Sequence, residues 1–291
     1  MSRDSHKRRL GIVVVIIAGY AVVEVVAALA SGSLSLLSDA GHMGTDALGL
    51  AMSLAAMVVA TTMARRERQT FGLFRLEILA ALANALLLTA IAVYAIVEGI
   101  LRLERKPEIE AGLMLWVAVG GLVVNVVGVV ILRRGAELGL NLEAAYTEVL
   151  ADLLGSIGVI AAAAIHLTTG WPLADPLVAI AIGLWILPRA GRLGWKALTI
   201  LTESAPAHVD VEGVRIDLAA VPGVLDVHDL HVWTLTSEME VATAHLVVAE
   251  DIDGHAVLDE ASSRMKNGFG IDHATIQVEP ESHSECIEQT W

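Results

Sequence analysis

Two pairs of side chains in this sequence have the types and spacing of metal ligands. His42 and Asp46 stand four residues apart in the run from Leu34 to Ala60, LSLLSDAGHMGTDALGLAMSLAAMVVA. Glu148 and Asp152 repeat that spacing between Asn141 and Leu167, NLEAAYTEVLADLLGSIGVIAAAAIHL. Residues four apart on a helix share one face, one turn apart. An imidazole and three carboxylates, borne by two helices, can close around one divalent ion. Either pair alone reads equally well as a satisfied polar contact between helices. Two such pairs, in separate apolar runs, point to a shared ion.

Both runs are long enough to cross a bilayer, which takes roughly 20 apolar residues. Ionisable groups at that depth are expensive and face a partner or a water-filled path. Asp39, three residues before His42 on the same face, reads either as an orienting partner of His42 or as a cap on the helix entry.

The rest of the chain is organised to hold these two runs in lipid. Of 291 residues, 55% are hydrophobic, and the mean hydropathy is positive, which places the chain in the membrane class. Six apolar stretches appear, at about 10–30, 34–63, 76–101, 112–132, 143–167 and 174–197, each long enough to span. The basic start, MSRDSHKRRL, leads into the first of them as an uncleaved span. Basic residues cluster before the first stretch, between the second and third (Arg65, Arg66, Arg68, Arg75), after the fourth (Arg133, Arg134) and at the end of the sixth (Arg189, Arg192, Lys196). Only Arg102, Arg105 and Lys106 oppose them. The positive-inside bias puts both termini in the cytoplasm, as an even number of spans requires. Asn84 and Asn125 read as interhelical hydrogen-bond formers and His166 as an interfacial residue; Glu24 and Glu98 either line a path or sit near an interface.

After residue 203 the pattern changes. The net charge of −14 lies largely there, and so acidic a chain is no partner for nucleic acid. VDVEGVRIDLAAV has helical spacing; VLDVHDLHVWTLT and MEVATAHLVVA read as strands; DGHAVLDEASSRMKNGF is a second helix and HATIQVEP a third strand. The expected organisation is a cytoplasmic N-terminus (1–9), a six-helix transmembrane bundle (10–202), a small α+β cytoplasmic domain (203–280) and a loose tail (281–291). Cys286 is the only cysteine, so no intrachain disulfide exists.

These stretches together resemble the cation diffusion facilitator family, in particular its bacterial cobalt–zinc–cadmium resistance branch. The carrying motifs are SLSLLSDAGHMGTDALGL, TFGLFRLEILAAL, YTEVLADLLGSIGVI, PGVLDVHDLHVWTLT and HATIQVEP. The resemblance covers nearly the whole chain. It implies a homodimer in the inner membrane of a bacterium, six membrane helices and a ferredoxin-like cytoplasmic domain. It also implies export of a divalent cation in exchange for protons, with no prosthetic group and no enzymatic chemistry. The family's transport site maps onto His42, Asp46, Glu148 and Asp152. Many zinc-selective members carry histidine where this chain has Glu148, so zinc is expected and cobalt or cadmium is admitted, since three oxygens make a harder site. In the tail, His228, His245 and Glu279 match positions of a regulatory metal site, and His255 matches a further ligand position. His231, His273, His283 and Cys286 are extra candidates whose other reading is ordinary surface residues. The loop from Thr61 to Leu76 has no histidine, so no site is expected there. Arg75 and Glu203 are expected to pair, as the family's opposite charges do at that place. The competing reading is a membrane-anchored metal sensor or scaffold without transport. A membrane metalloenzyme would want a motif such as HExxH, which the sequence lacks.

Overall fold

The computed structural model describes the backbone of residues 3–62, 71, 74–105, 108–136, 140–236 and 239–282. It describes their side chains except at 3–10, 50, 53–62, 74, 133–136, 140–148, 150 and 151. The elements, in order, are α1 (Arg3–Ser31), α2 (Leu34–Thr62), α3 (Phe74–Arg105), α4 (Ala111–Ala136), α5 (Leu140–Thr169), α6 (Ala174–Leu201), α7 (Val211–Ala219), β1 (Val224–Thr236), β2 (Met239–Val248), α8 (Gly254–Phe269) and β3 (His273–Pro280). They form two compact units. The first holds residues Met1–Gly72 and Ala80–Trp195, the second Leu73–Leu79 and Lys196–Trp291.

The first unit is a helical bundle. Among the described residues, stretches of α1, α3, α4, α5 and α6 are long and apolar enough to cross a membrane. The sixth expected span, α2, is not among them; its side chains from residue 53 onward lie outside the described ones. Helix α1 starts at Arg3, so most of the expected N-terminal segment 1–9 continues the helix. Helix α1 packs on α2 and α4, α4 on α5, and α2 on α5. The main core draws Ala27, Ala28, Leu36, Leu88, Ala92, Met114, Ala118, Val159, Ala162, Ala163, Ala174, Ile182, Ile186 and Ala190 from all six helices, more than half of them alanine. Small residues let helices approach closely where lipid gives no hydrophobic drive between them. At the α3–α6 crossing, a Cβ on Gly99 would lie 2.6 Å from Ile180 Cγ1, and one on Gly183 would lie 2.9 Å from the Ala92 carbonyl oxygen.

The turn between α1 and α2 is tight. Gly32 sits at φ +70°, a backbone conformation that glycine adopts at no steric cost. Arg102 Nη1 donates to the Gly32 carbonyl at 2.6 Å while its Nε donates to Glu98 at 2.9 Å. Glu98 is thus ion-paired within its own helix.

The second unit has the α-β-β-α-β order read from the sequence. Its sheet runs β1-β2-β3, with β1 and β2 antiparallel and β2 and β3 parallel. Helices α7 and α8 pack against the sheet and each other. The core between them includes Val214, Leu218, Val227, Val232, Ala244, Leu246, Val257 and Met265. Side chains alternate along a strand, so the even-numbered core positions of β2 send His245 to the sheet's other face. At the start of α3, Arg75 forms an ion pair with Glu203, and Glu77 accepts from the Thr236 hydroxyl at 3.1 Å.

Candidate metal centre

Helices α2 and α5 bring His42, Asp46 and Asp152 together. All three are buried: Asp46 is 2% exposed and Asp152 0%. His42 Nε2 lies 3.6 Å from Asp46 Oδ2 and 3.4 Å from Asp152 Oδ1. One ligand atom from each lies within 4.8 Å of the others. With metal–ligand bonds of about 2.1 Å, the edge of a tetrahedral zinc site is roughly 3.4 Å. The two separations are close to that edge. His42 Nδ1, Asp46 Oδ2 and both Asp152 oxygens have no hydrogen-bond partner. A buried polar atom without a partner costs about 1–3 kcal/mol, and Asp46 Oδ2 and Asp152 Oδ1 among these adjoin His42 Nε2. Glu148 is on α5, one turn before Asp152; its side chain lies outside the described residues.

A buried polar layer adjoins this group. Asp39 is fully buried, and its Oδ2 accepts from Ser156 on α5 at 3.2 Å. Ser156 in turn accepts from Asn125 on α4 at 3.3 Å, so Asn125 is the interhelical hydrogen-bond former its sequence position suggested. Glu24 is also fully buried. Both carboxylates rest on bare helix backbone: a Cβ on Gly121 would come within 2.3 Å of Glu24 Oε1, and one on Gly155 within 2.5 Å of Asp39 Oδ1. Asp39 does not cap α2. That role falls to Asp175 at the start of α6. Its carboxylate accepts from the hydroxyls of Ser33 and Ser35, both at 2.6 Å, and from the amides of Leu34 and Ser35, at 2.8 and 3.1 Å.

Arg189 of α6 also reaches the group. Its Nη2 lies 3.6 Å from Asp46 Oδ1. By sequence it belonged with Arg192 and Lys196 as a topology signal; those two are exposed and Arg189 is not.

The second unit gathers a separate set. His228 on β1 is the register partner of His245 on β2, and their rings sit 5.2 Å apart, edge to face. Glu279 on β3 is buried beside both, with Oε2 at 3.7 Å from His228 Nε2 and Oε1 at 2.8 Å from His245 Nδ1. Gln277 donates to Glu279 Oε1 at 2.7 Å. Two nitrogens and one carboxylate oxygen are a zinc donor set. His255 stands apart. Its side chain, 81% exposed on the first turn of α8, faces Asp259 at 3.9 Å. Among the described residues it is not one of the ligand group. His283 and Cys286 lie outside the described residues.

Asp229 was not foreseen. It occupies a bulge in β1 at φ +51°, where the register shifts between His228 and His231. A short acidic side chain tolerates the left-handed region. From there its carboxylate meets His231 Nε2 at 2.9 Å and His245 Nε2 at 3.7 Å. Asp229, Asp175 and Arg189 act across the fold, and no local spacing marks them.

Comparison with known proteins bears on the family. The model of the cation efflux transmembrane domain matches residues 10–202, and that of the cation efflux protein cytoplasmic domain matches residues 206–281. The chain is 43% identical over 275 residues to the metal cation efflux system protein CzcD of Cupriavidus metallidurans, covering 94% of this chain and 87% of that protein. It is 39% identical over 284 residues to the zinc transporter ZitB of Escherichia coli, covering 96% and 89%. It is 34% identical over 288 residues to the cadmium, cobalt and zinc/H(+)-K(+) antiporter of Bacillus subtilis, covering 97% and 92%.

Proposed function

The chain belongs to the cation efflux family, and from that premise we propose that it exports a divalent metal cation from the cytoplasm in exchange for protons. Zinc is the proposed main cargo, with cobalt and cadmium also carried. The observation that carries this reading is the buried trio His42, Asp46 and Asp152, spaced as a metal's ligands, with Asp46 Oδ2 and both Asp152 oxygens lacking hydrogen-bond partners. Glu148, one turn from Asp152, is the proposed fourth ligand. The names of the relatives support the cargo class, since they speak of metal efflux, of zinc, and of cadmium, cobalt and zinc.

Exchange follows from ligand chemistry. These side chains hold metal only when deprotonated, so binding releases protons and protonation expels the ion. An unperturbed imidazole titrates at about 6.5, within the range cells can work with. Opposed movement of helix groups about the fixed site would open it to each side in turn. The working assembly is a homodimer in the inner membrane of a bacterium, with both termini in the cytoplasm. His228, His245 and Glu279 form its regulatory metal site, which draws two cytoplasmic domains together; His255, being elsewhere, is left out of that set.

The test is metal uptake into everted vesicles or proteoliposomes with an imposed pH gradient, across zinc, cobalt and cadmium. Flux that follows the gradient and is lost in Asp152→Ala supports the reading. Flux indifferent to the gradient removes proton exchange. Normal metal tolerance of cells carrying Asp46→Ala would favour a sensor or scaffold instead.

A further inference from the structure

Asp46 presents its two oxygens to two different groups. Oδ2 faces His42, where the cargo is proposed to sit, and Oδ1 faces the guanidinium of Arg189 at 3.6 Å. Arg189 follows Pro188, the proline inside α6. Its side chain is 26% exposed, whereas Asp46 is almost wholly buried. A carboxylate so buried is stabilised by a cation beside it. A guanidinium keeps its charge in any protein setting, so the positive charge beside Asp46 is permanent. A dication entering at Asp46 meets that fixed like charge in surroundings where charges are weakly screened. Arginine next to a cation site is the reverse of what tight binding asks for.

We propose that Arg189 is the resident counter-cation of the transport site. It occupies Asp46 while the site is empty and yields it when metal enters. It thereby weakens metal binding and speeds release. The cargo and Arg189 compete for one carboxylate, and the arginine sets the affinity at a level the exchange cycle can reverse. This inference rests on the proposed role of His42, Asp46 and Asp152.

The test uses the purified full-length protein with Zn2+ alone. In Arg189→Gln the site should bind Zn2+ about tenfold more tightly, and efflux at saturating Zn2+ should slow. Arg192→Gln removes the same charge from an exposed position of α6 and should leave affinity unchanged. A second measurement needs no substitution: arginine-specific labelling of the parent protein, read by mass spectrometry, should rise at Arg189 when Zn2+ is added and stay level at Arg192. Equal or weaker Zn2+ binding in Arg189→Gln, or labelling at Arg189 that is unchanged or reduced by Zn2+, overturns the proposal. If parent binding is itself unaffected by Asp152→Ala, the transport-site reading has failed rather than this one.

Discussion

Asp175 and Ser35 are joined twice: Oδ1 of the carboxylate takes the hydroxyl at 2.6 Å and the backbone amide at 3.1 Å. The first amides of a helix have no partner within it, and a negative charge there is favoured by the helix dipole. Asp175 satisfies two of these amides on α2 from the first turn of α6. The helix that carries His42 and Asp46 is thereby aimed by the helix that carries Arg189.

Removing that carboxylate should loosen α2. Asp175→Ala leaves two buried hydroxyls and two amides short of an acceptor, and each unmet group costs about 1–3 kcal/mol. Asp175→Asn keeps the shape and one acceptor, so it should destabilise less. Thermal unfolding of the detergent-solubilised protein checks the order, parent above Asn above Ala. An Ala variant as stable as the parent would contradict the latch.

The metal centre predicts a graded response to ligand changes. Asp152→Ala should abolish zinc flux and lower affinity by about a hundredfold or more, since a lost charged ligand costs several kcal/mol. Glu148→His should shift preference toward zinc over harder ions by adding a nitrogen donor. Competitive binding of a metal panel to parent and variants reads both effects. An unchanged order of preference in Glu148→His would remove Glu148 from the ligand set.

In the second unit, His228→Ala with His245→Ala should remove one bound metal per chain and the associated dependence of rate on cytoplasmic zinc. Flux at low zinc should persist, because His42, Asp46 and Asp152 belong to the other unit. Metal content by mass spectrometry and vesicle uptake check this. His255→Ala should change neither quantity.

Gly121 should resist substitution. An added methyl would lie 2.3 Å from Glu24 Oε1, and overpacking of this kind costs about 1–3 kcal/mol. Glu24→Ala removes the obstructing carboxylate. The double variant should therefore be more stable than Gly121→Ala alone, and a double-mutant cycle on melting temperature measures that coupling. Additive effects would show that the two do not touch.

Much of the fold was legible because it is periodic. The strand VLDVHDLHVWTLT is β1 to the residue, and HATIQVEP is β3. His42, Asp46 and Asp152 stood out because charged groups four apart in an apolar helix are rare enough to need a reason. The missed contributors share a different property. Asp175 acts on Ser35 across 140 positions, and Arg189 acts on Asp46 from another helix. Asp229 owes its reach to a bulge that alternation does not foretell. Linear charge counting marks Arg189 for sidedness without saying where its long side chain ends. His255 met the resemblance and not the geometry, because the first turn of α8 turns it to solvent.

The alanine-lined seam of the bundle bears on how such a molecule works. Surfaces studded with branched side chains lock like gears, and one must be lifted clear before it can advance. Methyl-faced rods such as those meeting at Ala28, Ala92, Ala118 and Ala163 have shallow teeth. They can glide past each other with little to unhook, so the resistance to a change of access falls on the few polar clasps, and those clasps become the timing parts.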